Sequence, residues 1–344
     1  MTTLPTLWHW LDLGDLSPVD LHAAYTGLAR AMGPEDPPVL LWARADRPHL
    51  SIGASQSWSA DLDLAHCDVS GIPVIQRPLG GGTVWLDGDQ ECFFFIVHQS
   101  RVPGGHRGLF DLCLDLVADW FQAMGLDARR VGGQDLWAGG RKIMGSGAAT
   151  QAGALVFGAS VLRHFPAGAF ARCIHAPSPG FRDWLADALA EGMIDWRSLG
   201  LDPDTASLQE GLRETCARGQ GWTLAPWELD ARNRAALAET REELSEPLDA
   251  GGGRRHVPHG IRINGLRYLL EQAEGGDWLR LVLDDGIIQR VASGDARTHE
   301  LLQACVGEPA HAGRINTLLA GRLPKRRTER LSARIEALYE SIPK

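Results

Sequence analysis

The strongest apolar run in the chain is only five residues long, Phe93 to Val97, inside ECFFFIVH. A membrane-spanning helix needs about 20 apolar residues. Five residues of this kind, bounded by polar positions, suit a buried strand instead. No other segment comes nearer to a membrane span, so the sequence predicts no membrane partner. The opening MTTLPTLWHW lacks the basic flank and long apolar stretch of a secretory signal. The six cysteines (67, 92, 113, 173, 216, 305) show neither a CxxC pair nor metal-ligand spacing. Together these features predict reduced thiols and a cytoplasmic protein.

At 344 residues the chain is long enough for two domains. Its 44% hydrophobic and 22% charged residues are ordinary for a globular protein and exclude disorder, collagen and coiled coil as the main architecture. Charge is uneven: of the net −9, residues 1–250 carry −13 and residues 251–344 carry +4. That step supports a domain boundary near 250. The acidic body argues against a nucleic-acid partner. The basic PKRRTER at 324–330 reads first as a solvated helix start.

The pattern predicts a helix over 18–32 and strands over 39–45, 49–54 and 72–77. TVWL (83–86) and ECFFFIVH (91–98) read as a hairpin across DGDQ. A helix follows at 109–125, then two short strands around the turn AGG in 134–147, and a strand at 154–162. Residues 165–200 look helical with proline breaks, 205–218 helical, and 225–250 helical and charged. GGGRR at 251–255 reads as a flexible linker. A three-strand meander at 268–294 and helices near 296–306, 311–320 and 326–341 form a small α+β domain.

Two segments carry the chemistry. RPLGGGTVWLD runs from Arg77 to Asp87, with three consecutive glycines between strands. Without side chains, backbone N–H groups can converge on one point and favour an anion. Arg77 at the edge could add bidentate contacts to phosphate. A plain hairpin loop needing positive φ is the simpler alternative, and no G-K-[ST] follows to make a Walker loop. GGRKIMGSG runs from Gly139 to Gly147 and holds Lys142. Of 34 basic residues only Lys142, Lys325 and Lys344 are lysine. A lysine where arginine is the default invites a role for a compact ammonium, although a surface strand lysine is the commoner case. Asp135 is the nearest upstream carboxylate, a candidate for pyrophosphate or metal, or a turn former. GSGAAT lacks the third glycine and the βαβ setting of a dinucleotide fold.

Together these motifs resemble the lipoate–protein ligase family, within the wider biotin/lipoate ligase group. Family members carry Arg-Arg-x-x-Gly-Gly-Gly-x-Val-x-His-Asp, here QRPLGGGTVWLD; Asn-Asp followed by Gly-Arg-Lys-Ile-x-Gly-Ser, here QD and GRKIMGS; and Gly-x-x-Gln, here GASQ at 53–56. Order and spacing match over most of 1–200, and 259–344 looks like the small accessory domain of these ligases. The resemblance implies an α+β fold: a mixed-sheet catalytic domain of the class II synthetase-like kind over 1–245, a linker at 246–258 and an accessory domain at 259–344. It implies activation of lipoate or octanoate by ATP and Mg²⁺ to an acyl-adenylate, then transfer to a lysine of a lipoyl-type carrier protein. Lys142 would be the catalytic cation. Arg77, Gly80, Gly81, Gly82, Thr83, Val84, Trp85, Asp135, Gly145 and Ser146 would bind nucleotide and acyl-adenylate. Mg²⁺ would sit near Asp135, with no metal site otherwise. For Trp8, Trp10, Trp58 and Trp85 core packing is the default reading, and of the four Trp85, which follows the glycine loop, is the candidate to stack on adenine.

The departures are Gln76 for the first arginine, Leu86 for the histidine, Gln134 for the asparagine, Ala149 for a basic residue, and Phe157 in place of a histidine. They thin the polar surround and suggest a divergent subgroup. Three rivals remain. An octanoyltransferase would use a cysteine and no ATP; Cys173 lies in the right region, but aligning Phe170 puts Ala176 at that place. A biotin ligase would carry Gly-Arg-Gly-Arg-x-Gly, which is absent. A non-catalytic carrier-binding module would explain the lost polar groups. His98, His106, His164 and His175 are not spaced as metal ligands. Asp111 and Asp115 read as solvated helix residues.

Overall fold

The computed structural model describes residues 4–131, 133–247 and 253–343. In chain order the elements begin with β1 (Leu7–Leu16), α1 (Pro18–Ala31), β2 (Val39–Ala45), β3 (His49–Ile52), α2 (Trp58–Asp61) and α3 (Leu64–Val69). Next come β4 (Val74–Gln76), β5 (Val84–Leu86), β6 (Gln90–His98), α4 (Gly105–Ala123), β7 (Arg129–Val131), β8 (Asp135–Ala138), β9 (Arg141–Gln151) and β10 (Ala154–Leu162). Then follow α5 (Ala167–Cys173), α6 (Pro179–Gly192), α7 (Thr205–Gln220), β11 (Thr223–Pro226) and α8 (Ala231–Ser245). The C-terminal part holds β12 (Gly260–Arg262), β13 (Arg267–Glu274), β14 (Asp277–Asp284), β15 (Ile287–Ser293), α9 (Ala296–Leu302), α10 (Ala312–Leu319) and α11 (Lys325–Glu340).

The chain divides into two compact units, 1–56 with 65–165 and 194–250, and 57–64 with 166–193 and 251–344. In the first, an eight-stranded mixed sheet runs β11-β1-β2-β6-β10-β9-β8-β7. β1 is parallel to β11 and β2, and the other pairs are antiparallel. The apolar run forms β6, the fourth strand from the β11 edge and deep in the sheet. Its alternate residues Phe93, Phe95 and Val97 enter a core with α4 and α7, while Cys92, Phe94 and Ile96 enter a second core with α1. A strand buried on both faces must be apolar at every position, which is why its alternation is lost. The long parallel strand β1 was not anticipated, since its partners lie far away in sequence.

A small three-stranded sheet, β4-β3-β5, completes this unit. It overturns the expected hairpin of 83–86 with 91–98, because β5 pairs with β3 and β6 pairs with β2 and β10. Asp87 explains the divergence. It accepts from the Trp85 indole at 2.6 Å and from the Asp89 amide at 2.9 Å, so the chain turns between sheets instead of folding back.

Helix α8 has few apolar residues, yet it docks firmly on α1. Gly27 makes this possible, since a Cβ there would stand 2.8 Å from the Leu237 backbone. Ion pairs Arg30–Glu243 and Arg241–Asp20 flank the contact at 2.6 and 3.0 Å.

The second unit is a four-stranded antiparallel sheet, β12-β13-β14-β15, with α9 to α11 on its apolar core. The meander expected at 268–294 is present, with β12 added at its edge. The unit also takes residues 57–64 and 166–193, which the sequence assigned to the 1–245 domain. Their side chains explain it. Ser178 donates to Glu271 at 3.1 Å and accepts from Arg280 at 2.9 Å, Arg267 pairs with Glu191 at 3.1 Å, and Leu62 bridges Ile174. Of the expected linker 246–258, residues 248–252 lie outside the described residues.

Gly27→Leu should lower unfolding stability by about 1–3 kcal/mol, because a side chain there must push two backbones apart. An unchanged urea midpoint would show that α1 and α8 do not rely on this approach.

Candidate active site

The lysine segment is built on a tight hairpin. Gly139 and Gly140, both with positive φ (55° and 75°), join β8 to β9 as the expected AGG turn. Such a two-residue turn needs left-handed backbone at both positions, which glycine adopts freely. The pairing then slips by one residue: Leu136 faces Met144, Asp135 faces Gly145, but Trp137 faces Lys142. Ile143 is the extra residue of a β-bulge, and it and Met144 both enter the core below the sheet. Under regular alternation Lys142 would share Met144's face. The bulge turns it to the opposite face, with Gly145 and Gly147.

There Lys142 Nζ lies 2.8 Å from Asp135 Oδ1, the two side chains 18% and 12% exposed. A Cβ on Gly145 would stand 3.0 Å from that nitrogen, so glycine makes the room the ammonium occupies. A Cβ on Gly147 would meet the Gly80 carbonyl at 2.9 Å. The glycine loop therefore packs on the same face of β9 as the lysine, two residues further along.

The loop is held by its own backbone and by Arg77. A Cβ on Gly53 would stand 2.0 Å from the Gly81 carbonyl, which locks the loop against the end of β3. Gly81 has φ 100°. Arg77, expected at the edge of an anion pocket, is buried behind the loop instead. Its Nη2 donates to the Gly80 and Gly82 carbonyls at 3.1 and 2.7 Å, and its Nη1 donates to the Ser51 carbonyl at 2.6 Å. A guanidinium spent in this way cannot also grip a phosphate. Its effect is indirect. In a planar trans peptide the N–H points opposite to the carbonyl. Drawing in the Gly80 and Gly82 carbonyls thus turns the N–H groups of Gly81 and Thr83 away from Arg77. Neither donates to another group among the described residues. Such converging amides form a concavity for an anion.

The other expected residues fall as follows. The Thr83 hydroxyl donates to Gln56 at 3.3 Å, and Gln56 also accepts from the Gly53 amide at 3.1 Å. Gln76, in place of an arginine, braces the neighbouring turn by donating to the Ala54 and Gln56 carbonyls. Val84 is exposed. Trp85 is buried with its indole N–H bound to Asp87, so it is not free to stack on a base. Ser146 donates to the Gln134 carbonyl at 2.8 Å and fixes the approach to Asp135. Asp111 and Asp115, read as solvated, both pair with Arg130, which also donates to the Gly133 carbonyl. Leu86 and Phe157 fill core positions, and Phe157 sits on the face away from Lys142. Trp137 was missed: its pairing opposite Lys142 puts it on the same face as the ammonium, and its buried indole N–H has no partner among the described residues.

Among the described residues no group of three His, Cys, Asp or Glu could hold a metal. Asp135 is a single carboxylate already neutralised by Lys142, which does not make a resident Mg²⁺ site. All six cysteines are buried, Cys173 included, and none forms a disulfide among the described residues. No helix of the described residues is long and apolar enough to cross a membrane.

Gly53→Ala should drive the loop off β3, lowering stability by about 1–3 kcal/mol. An unchanged denaturation midpoint would contradict the locking role of Gly53.

The profile of the lipoyl protein ligase A/B catalytic domain matches residues 22–195, a little over half of the chain. Lipoate-protein ligase A subunit 1 of Thermoplasma acidophilum is 29% identical over 196 residues, 52% of this chain and 72% of that protein. An octanoyltransferase LipM of Kyrpidia tusciae is 27% identical over 235 residues, 61% of this chain and 84% of that protein. The crystal structure of a lipoate-protein ligase A bound with ATP superposes with a TM-score of 0.59 at 20% identity, covering 68% of this chain and 94% of the other. With a family match over half of its length, the chain belongs to the lipoyl protein ligase A/B catalytic-domain family.

Proposed function

We propose that the protein activates lipoate or octanoate with ATP as an acyl-adenylate and transfers the acyl group to a lysine of a lipoyl-type carrier protein. The observation that carries this reading is the shared face: the Lys142 ammonium beside Gly145 and the Gly80 carbonyl of the glycine loop beside Gly147 lie on one side-chain-free face of β9. A carboxylate is a poor electrophile, so it needs a leaving group, and AMP supplies one. In the first step the acyl carboxylate oxygen attacks the α-phosphorus and pyrophosphate leaves. Negative charge grows on the phosphoryl oxygens, where Lys142 and the loop amides stand ready. In the second step the carrier amine attacks the acyl carbon, the amine loses its proton and AMP departs. Lys142 can then stabilise the developing oxyanion. Asp135, 2.8 Å away, keeps the ammonium aimed. Preorganised donors of this kind contribute about 3 kcal/mol, or roughly 100-fold in rate.

ATP use draws support from the ATP-bound ligase of the same fold. The nucleotide would enter as its Mg²⁺ complex, the ion travelling with the phosphates. Leu79 and Phe94 crowd Gly158 on this face and offer an apolar wall for an eight-carbon chain, each buried CH₂ contributing about 0.8 kcal/mol. The likeness to an octanoyltransferase favours a second reading, acyl transfer from a carrier thioester without ATP. The two separate cleanly: the ligase exchanges labelled pyrophosphate into ATP when given lipoate or octanoate, whereas the transferase turns over only an acyl-carrier thioester and stops in Cys173→Ala.

Lys142→Ala should lower pyrophosphate exchange about 100-fold. Lys142→Arg should not restore it, because the broad guanidinium fork replaces a compact ammonium beside Gly145. Full exchange in Lys142→Ala would sink the assigned role.

A further inference from the structure

Beneath the glycine loop lies a buried polar group that the reaction does not use. His22 and Tyr25 come from α1, and His49 from β3; all three are almost wholly buried. His22 Nδ1 lies 3.0 Å from the Tyr25 hydroxyl, His22 Nε2 lies 3.3 Å from His49 Nε2, and His49 Nδ1 lies 3.4 Å from the Arg47 carbonyl. We infer that these three side chains form a neutral hydrogen-bond chain of fixed direction that positions Arg77 and, through it, the glycine loop.

The direction follows from the last link. A carbonyl only accepts, so His49 carries its proton on Nδ1. A neutral ring has one N–H, so His49 Nε2 must accept, and His22 must carry its proton on Nε2. His22 Nδ1 then accepts from the Tyr25 hydroxyl. With its proton turned to His22, the phenol leaves its oxygen lone pairs to the surroundings. Those surroundings include Arg77, which is buried and forms no ion pair with a carboxylate among the described residues. Reversing the chain would turn a phenolic proton outward in place of a lone pair. His49 and Ser51 lie two residues apart on β3, so the chain and the Ser51 contact of Arg77 share one side of that strand.

Neutrality follows from burial beside a cation. The charged and titratable neighbours are Arg77 after β4, Arg47 before β3, Tyr25 on α1 and Cys92 on β6. Burial, with the Arg77 charge nearby, holds His22 well below the usual imidazole range, and burial takes His49 down to about 4. Both rings are therefore uncharged at pH 7. Protonation would place a second positive charge next to Arg77, so acidification weakens the native state as pH falls from about 6.5 toward 4.

The functional part rests on the reading of the loop as the nucleotide anchor; the positioning part does not. Nitrogen NMR of the full-length protein at pH 7, with assignments from His22→Asn and His49→Leu, should find His49 neutral with its proton on Nδ1 and His22 neutral with its proton on Nε2. Tyr25→Phe and His49→Leu should lower the nitrogen-15 relaxation order parameters of Gly81 and Thr83 while those of β6 stay unchanged, and His49→Asn, which keeps a donor toward Arg47, should partly restore them. KM for ATP should rise about tenfold in Tyr25→Phe with kcat held. The same tautomer in both rings, a charged ring at pH 7, or unchanged loop order parameters in both variants would overturn the inference. Absence of any ATP-dependent activity in the wild type would instead overturn the adenylation reading, leaving loop order and tautomers to decide the chain.

Discussion

A single extra residue, Ile143, sets which way the lysine of β9 points. In a regular strand Lys142 and Met144 lie on one face, and burying Met144 in the core would bury the ammonium with it. Leaving a charge there unpaired costs far more than one lost ladder bond. The bulge resolves the conflict by sending Ile143 and Met144 into the core together and turning Lys142 toward Asp135. The glycines at 145 and 147 complete the arrangement from the other side: the first leaves space for the ammonium, the second lets the Gly80 carbonyl approach. Core packing and candidate chemistry are thus two consequences of one irregular step.

The second constraint is a cation placed where it cannot meet solvent. Arg77 draws two carbonyls of the glycine loop inward, and peptide planarity turns the adjoining amides outward. The arginine thereby acts at a distance of one peptide plane from any anion the loop receives. This arrangement needs neutral company beneath it, which Ser51, Tyr25 and the two histidines supply. A carboxylate partner would satisfy the charge of Arg77 but would compete with the loop carbonyls for the same donors.

Much of this was legible in the residues themselves. The glycine turn at 139–140, the scarcity of lysine that drew attention to Lys142, the long helices and the C-terminal meander all follow from local rules. What escaped depended on distant partners. Strand β1 joins β11 across more than 200 residues of chain, and no local pattern announces it. The expected hairpin failed because Asp87 ties Trp85 and Asp89 into a turn between two sheets. Arg77 and Trp85 were read as ligand contacts because their side chains suit phosphate and adenine, whereas burial commits both to neighbours. The bulge at Ile143 left no mark that spacing alone could show. Residues 166–193 look like any helical segment until Ser178 meets Arg280 and Glu271 in the sheet of the second unit, to which they belong.

The central claim is that Lys142 and the glycine loop, packed on one face of β9, address one ligand. A crystal structure with a non-hydrolysable octanoyl-sulfamoyl adenosine tests it most directly. The account predicts the sulfamate within hydrogen-bond distance of Lys142 Nζ and of at least one of the Gly81 and Thr83 amides. A ligand seated elsewhere, with Lys142 still held only by Asp135 and the loop amides unoccupied, would contradict it.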